Sequence, residues 1–310
     1  MRQQSLRTVC EALRHPVAVD FVRTTVKTGY CECFAEMKHE ACAIVDDAFC
    51  QLQESSANPE RLAEGTAALV EHTFKKPERS FWFNRLYHRY KTITKPEADF
   101  QQLKDMIQGN RVLDYGCGSG YLALRLAKGG YEVLMTDVLD YRYPEARHLP
   151  FFRMTSQSEI EYPEDSVDTA LVQAVLHHVD EQHLPTVLRK LGRIAKYLLI
   201  KEDTYGLPFD LPGVSEKLRE QPLLRAFVGM PVDVQYRALV LIDYYANAIA
   251  QGVPEMNMPF AFRTADEWTA ALASSGLTIQ KTVIAGFEPG RMHKSCHVWF
   301  LCKHKECPSL

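Results

Sequence analysis

The stretch VLDYGCGSGYLALRLAKGGYEVLMTDVLD, Val112 to Asp140, decides the fold. Val112-Leu113 reads as a short apolar strand that stops at Asp114. Gly116, Gly118 and Gly120 then fall at every second position. Glycines so spaced let a turn adopt backbone angles closed to other residues, and let a ligand approach the main chain. Leu122, Leu124, Leu126 and Ala127 carry a helix that starts at the turn, so its free amide groups point back at whatever sits there. Gly129-Gly130 ends that helix. Residues 132–136 form a second, buried strand that finishes on Asp137. The unit is strand, turn, helix, parallel strand, with an acid at each strand end.

Two cofactor classes use such a unit, and the spacing separates them. Dinucleotide sites space their glycines as G-x-G-x-x-G. Here the pattern is Asp-x-Gly-x-Gly-x-Gly, which resembles the first motif of class I S-adenosylmethionine-dependent methyltransferases. S-adenosylmethionine has no phosphate to cradle; it has a sulfonium, an ammonium and a carboxylate, so an acid beside the turn makes electrostatic sense. The resemblance implies S-adenosylmethionine as cofactor. It puts Asp137 on the ribose hydroxyls, the glycine turn at the amino-acid end and Asp114 near the ammonium. Ser156-Gln157 stands where the family commonly has an acid for the adenine amino group, and Gln173 matches the strand end that faces the methionine part. Asp114, Gly116, Gly118, Gly120, Asp137, Val138, Ser156, Gln157 and Gln173 are the expected cofactor-binding residues.

Working outward, Phe151–Met154 reads as a third strand and Thr169–Gln173 as a fourth. Leu184, Val187, Leu188, Leu191 and Ile194 form a helical stripe, with Pro185 tolerable only in its first turn. Lys196–Asp203 is a fifth strand, apolar until Glu202 and Asp203 cap it. Two successive strand residues point to opposite faces, so one of these acids is expected to look into a pocket. His177-His178 begins the element after the fourth strand, at the sheet edge where open α/β folds bind ligands. His177, His178, Glu202 and Asp203 are the candidate catalytic residues, as a general base or as its orienting groups. Packing and turn capping are the alternative roles for all four.

Thr264 opens a helix as its N-cap, with acids in the first turn. Leu277–Phe287 and Ser295–Lys303 then alternate as two last strands. Arg291 and His293 lie in the hairpin loop between them, where solvation is the plainer reading and an anionic acceptor the other. The expected architecture is α/β: a seven-stranded, mostly parallel, doubly wound sheet with a reversed last strand. Residues 106–310 make this domain, and 204–262 exceed an ordinary connection, so they read as a helical insertion after the fifth strand. The insertion, with Asp243, Tyr244, Tyr245 and Asn247, reads as an acceptor-side lid, or else as a packing element or a homodimer contact.

Residues 1–105 read as an all-helical cap. Val26, Tyr30, Phe34, Met37, Ala41, Ile44 and Ala48 make one apolar stripe between Pro16 and Pro59. The aromatic segment with Trp82, Phe83, Tyr87 and Tyr90, and Arg85 or Arg89, reads as a lid or as glue to the sheet.

A hydrophobic content of 46% with 24% charged residues is that of a soluble globular chain. The net charge of −3 shows no basic excess for nucleic acid. No apolar run is long enough for a membrane span, and the first residues lack the apolar core of a secretory signal. Nine scattered cysteines suit a reducing, cytoplasmic setting. Cys31-x-Cys33, and Cys302 with His304 and Cys307, lack the paired spacing of a zinc site, so no metal is expected. The reading is methyl transfer to a small-molecule acceptor. A protein or RNA acceptor, other S-adenosylmethionine chemistry, and a non-catalytic binding module are the rivals.

Overall fold

Five helices, α1 (Gln3–Leu13), α2 (Pro16–Cys33), α3 (Lys38–Ser55), α4 (Pro59–Leu69) and α5 (Pro77–Arg89), open the computed structural model. It describes residues 3–74, 77–208, 213–253 and 256–304, with the backbone alone at 74 and 77–82. Trp82 and Cys307 therefore lie outside the described side chains. Next come α6 (Lys95–Leu103), β1 (Arg111–Tyr115), α7 (Tyr121–Lys128), β2 (Glu132–Asp137), β3 (Phe151–Arg153) and β4 (Val167–Gln173). They are followed by α8 (Leu184–Ile194), β5 (Ala195–Tyr205), α9 (Val214–Glu220), α10 (Pro222–Val228) and α11 (Val232–Tyr244). The chain closes with β6 (Arg263–Thr264), α12 (Ala265–Ser274), β7 (Leu277–Gly286) and β8 (His297–His304). No helix among the described residues is long and apolar enough to cross a membrane.

Two compact units divide the chain: residues 1–90, 203–262 and 285–297 form the first, and 91–202, 263–284 and 298–310 the second. The division falls within β5, β7 and β8.

In the first unit the apolar stripe of residues 17–50 is not one helix. It breaks at Phe34, whose backbone leaves the helical region at φ −129° and ψ 50°, and a short 3₁₀ turn over Ala35–Met37 leads into α3. Phe34 is buried, with its ring edge-on to Tyr30 and to Phe83. A turn that buries its own residue leaves the apolar period intact on both sides, which is why periodicity alone runs the two helices together. Pro16 occupies the first turn of α2, and Asn58 caps α4 by accepting from the Arg61 amide. The helix α11 continues as a wider π turn over Tyr245–Ala250. The loop before β8 is not solvated: Arg291, Met292, Lys294 and Ser295 are all buried. Glycine at position 29 permits this, because a Cβ there would stand 2.2 Å from the Met292 carbonyl oxygen.

The second unit holds a mixed, mostly parallel sheet in the order β3-β2-β1-β4-β5-β8-β7, with β6 pairing β5 and helices on both sides. The pairs β1–β2, β1–β4, β2–β3 and β4–β5 are all parallel. Val112, Leu113, Ala170, Leu171, Val172, Leu198, Leu199 and Ile200 are fully buried, as strands covered on both faces require. The stripe of α8 is buried along Leu184, Val187, Leu188 and Leu191, each such side chain contributing about 1.5–3 kcal/mol. Thr264 and Glu267 form a reciprocal capping box that starts α12. Strand order reverses direction between β1 and β4, so the crevice beyond their carboxyl ends is the topological switch point at which such sheets bind ligands.

Candidate functional site

The site is built at that crevice from the ends of β1, β2 and β4. All three glycines after β1 take positive φ: 72° at Gly116, 54° at Gly118 and 77° at Gly120. The conformation alone restricts these positions to glycine. At Gly116 space does so too, since a Cβ would stand 2.5 Å from the Val175 side chain. The turn is pinned by the Gly116 amide donating to the Thr136 carbonyl at 2.8 Å, and α7 starts directly at Gly120.

Asp137 is the second anchor of this turn. Its Oδ2 accepts from the Gly118 amide at 2.9 Å, and its Oδ1 from the Leu139 amide at 3.1 Å. A carboxylate has about four lone-pair sites, so acceptor capacity remains for ligand hydroxyls. Burial raises its pKa, and the backbone amides of Leu139, Gly118 and Val138 hold that rise back. Asp114 is buried at the end of β1, and its Oδ2 has no hydrogen-bond partner among the described residues. Burial first, and the Asp137 charge second, push the Asp114 carboxyl up to about 7. A buried acid held above its ordinary range by a neighbouring acid fits a cationic ligand group. The sulfonium and ammonium of S-adenosylmethionine are such groups.

Gln173, at the end of β4, donates through Nε2 to Asp99 Oδ1 at 3.2 Å. Asp99 is 1% exposed and also pairs with Lys95 Nζ at 2.7 Å. Sequence reasoning missed Asp99. Its signal was an acid in register with Pro96 and Leu103 on the buried face of α6. Ser156 is exposed and Val138 half-buried. Gln157 uses both ends of its amide as a brace, donating to the His178 carbonyl at 2.7 Å and accepting from the Asp180 amide at 3.0 Å. Tyr115 donates to the Gln157 carbonyl at 2.7 Å, which ties β1 to the same brace.

The two acids at the end of β5 serve different partners, each within its own unit. In the second unit Glu202, fully buried, accepts the Val175 and Leu176 amides at 2.9 and 2.7 Å through Oε1 and meets His177 Nδ1 at 2.7 Å through Oε2. His177 is buried, while His178 is half-buried with its ring centroid 4.3 Å from that of His177. In the first unit Asp203 Oδ1 lies 3.4 Å from His297 Nε2, and His297 Nδ1 lies 3.0 Å from Glu288 Oε2. Sequence reasoning missed His297 and Glu288, which are 94 and 85 residues away from Asp203 along the chain.

A family model described as a methyltransferase domain matches residues 59–282, well over half of the chain. The chain belongs to this family and is an enzyme of the class I S-adenosylmethionine-dependent methyltransferases. Its cofactor is S-adenosylmethionine. Among curated proteins none matches the chain. Solved structures similar to it include a SAM-dependent methyltransferase of Methanosarcina mazei, 19% identical over 66% of this chain and 96% of that one, with a TM-score of 0.45. Another is the 1,6-didemethyltoxoflavin-N1-methyltransferase of Burkholderia thailandensis, 15% identical over 72% and 86%, with a TM-score of 0.45. A third is the geranyl diphosphate C-methyltransferase of Streptomyces coelicolor, 13% identical over 67% and 77%, with a TM-score of 0.44. At these TM-scores the likenesses carry no part of the assignment.

Proposed function

We propose that this enzyme methylates a small-molecule acceptor, with the crevice at β1, β2 and β4 holding the cofactor. The observation that carries the site reading is Asp114 Oδ2, buried without a hydrogen-bond partner among the described residues beside a second acid. In this reading Asp114 answers the ammonium, and Gly116, Gly118 and Gly120 let the main chain approach the amino-acid end. Asp137 accepts from the ribose hydroxyls with Val138 beside it. Ser156 meets the adenine edge while Gln157 keeps the neighbouring turn in place, and Gln173 lines the methionine end. S-adenosylmethionine supplies an electrophilic methyl carbon, so the chain's task is alignment and exclusion of water.

His178, the more exposed ring of the histidine pair, takes the proton of an oxygen or nitrogen acceptor. Glu202 fixes His177, and His177 supports the His178 ring through a tilted ring contact. The absence of a basic excess supports a small metabolite over a nucleic acid.

Incubation of the enzyme with methyl-labelled S-adenosylmethionine and fractionated cell extract tests the acceptor class. Label is expected in the low-molecular-weight fraction; label in protein or RNA alone would overturn the proposal. His178→Ala is expected to lower turnover without changing S-adenosylmethionine affinity measured by calorimetry. Full turnover in both His177→Ala and His178→Ala would leave the pair with a packing role.

A further inference from the structure

In the first unit, Cys31 Sγ on α2 and Cys42 Sγ on α3 lie 3.5 Å apart, and both are free thiols. Both side chains are half-buried, so a small oxidant can reach them. A disulfide needs the sulfurs at about 2.05 Å, a further approach of about 1.5 Å that side-chain rotation can supply. Other described thiols are placed differently. Cys33 Sγ rests 3.6 Å from the Gly290 carbonyl, Cys50 is exposed with Sγ near the Glu54 carboxylate, and Cys10, Cys296 and Cys302 are buried.

The turn of α2 that carries Cys31 is itself tightly used. Glu32 accepts from the Gly290 amide at 2.7 Å and pairs with Lys294 Nζ at 2.7 Å. Three residues earlier, Gly29 is in close approach to Met292. A covalent tie at Cys31 would therefore fix the helical turn on which the segment 290–294 is seated.

We propose that Cys31 and Cys42 form a modification site that a hydroperoxide closes into an intramolecular disulfide between α2 and α3. One thiolate attacks the peroxide, whose O–O bond breaks to leave a sulfenic acid and an alcohol. The second sulfur then attacks the sulfenic sulfur, the S–S bond forms, the S–O bond breaks and water leaves. Each sulfur is oxidised by one electron, the peroxide is reduced by two, and the two thiol protons end in the alcohol and the water. Burial and the Cys42 neighbour raise the Cys31 thiol, with Lys38 and Lys27 opposing.

The test is to treat the reduced full-length enzyme with tert-butyl hydroperoxide and to map peptides without reduction. The expected result is one dominant linked peptide joining Cys31 to Cys42, lost on dithiothreitol treatment and absent in Cys31→Ser. Thermal scans of the same samples should show a higher Tm for oxidised than for reduced enzyme, because the link restricts the unfolded chain, and no such rise in Cys42→Ser. Cys31 and Cys42 remaining thiols at a dose that oxidises the exposed Cys50 would overturn the proposal. So would separate adducts on the two sulfurs, or pairing of either with a different cysteine.

Discussion

Several acids of the two units are satisfied in different ways. In the second unit Glu202 takes hydrogen bonds from the Val175 and Leu176 amides and Asp137 from those of Gly118 and Leu139, while Asp99 pairs with Lys95. In the first unit Glu288, Asp203 and the exposed Glu32 are answered by side-chain cations and a histidine. Glu288 meets Arg291 and His297, Asp203 meets His297, and Glu32 meets Lys294. Backbone amides satisfy a carboxylate's lone pairs without cancelling its full charge. Asp137 and Asp114 thus keep a negative field at the ends of β1 and β2, while Glu288 and Glu32 of the first unit lie against cations. A field left uncancelled is what a cationic cofactor requires; burial first and the Asp137 charge second raise the pKa of Asp114 accordingly.

Removing an acid that serves the main chain should do the most damage. Glu202→Ala leaves two amides and the His177 ring without their acceptor, and is expected to destabilise the enzyme by about 3–5 kcal/mol, read from denaturant unfolding. Glu202→Gln should recover part of this through its remaining carbonyl oxygen. A loss under about 1 kcal/mol in the Ala variant would erase the contrast between the units.

Asp114→Asn tests the field itself. An acid whose folded value is raised costs nothing below the unfolded value of about 4. The cost grows as pH rises and is complete above about 7. Without cofactor, the variant should therefore gain on the wild type between those limits, by up to roughly 4 kcal/mol, while binding S-adenosylmethionine more weakly at neutral pH. Parallel stability curves for the two proteins from pH 4 to 7 would show that no uncancelled charge is buried there.

Asp137→Ala should weaken S-adenosylmethionine binding by roughly 1–3 kcal/mol, measured by calorimetry at constant salt. The smallest effect belongs to the first unit. Asp203→Asn keeps the shape and leaves His297 its contact with Glu288, so it should cost about 0.5–1.5 kcal/mol in unfolding experiments. A loss in Asp203→Asn as large as that in Glu202→Ala would reverse the ranking and with it the comparison.

Much of the sheet was legible in the chain. Strands buried on both faces write themselves as unbroken apolar runs, so β1, β2, β4 and β5 begin and end within a residue or two of their reading. Period two also placed Glu202 and Asp203 on opposite faces. The break at Phe34 was not legible, because a buried turn residue imitates the helical period it interrupts. Arg291 and Lys294 were hidden for another reason: charged residues in a short loop read as solvated unless the acids that answer them, Glu288 and Glu32, are known to lie alongside. Asp99 was legible only as an acid on an apolar helix face.

The chain alone determined the glycine turn, the order of strand and helix through the second unit, and the acids at the strand ends. These depend on local backbone conformation and on apolar periods of a few residues. Tertiary structure decided which histidine each acid of β5 would meet, which carboxylates would be answered by amides, and which by cations. Most of those partners lie about twenty or more residues apart along the chain, and packing brings them within hydrogen-bond reach.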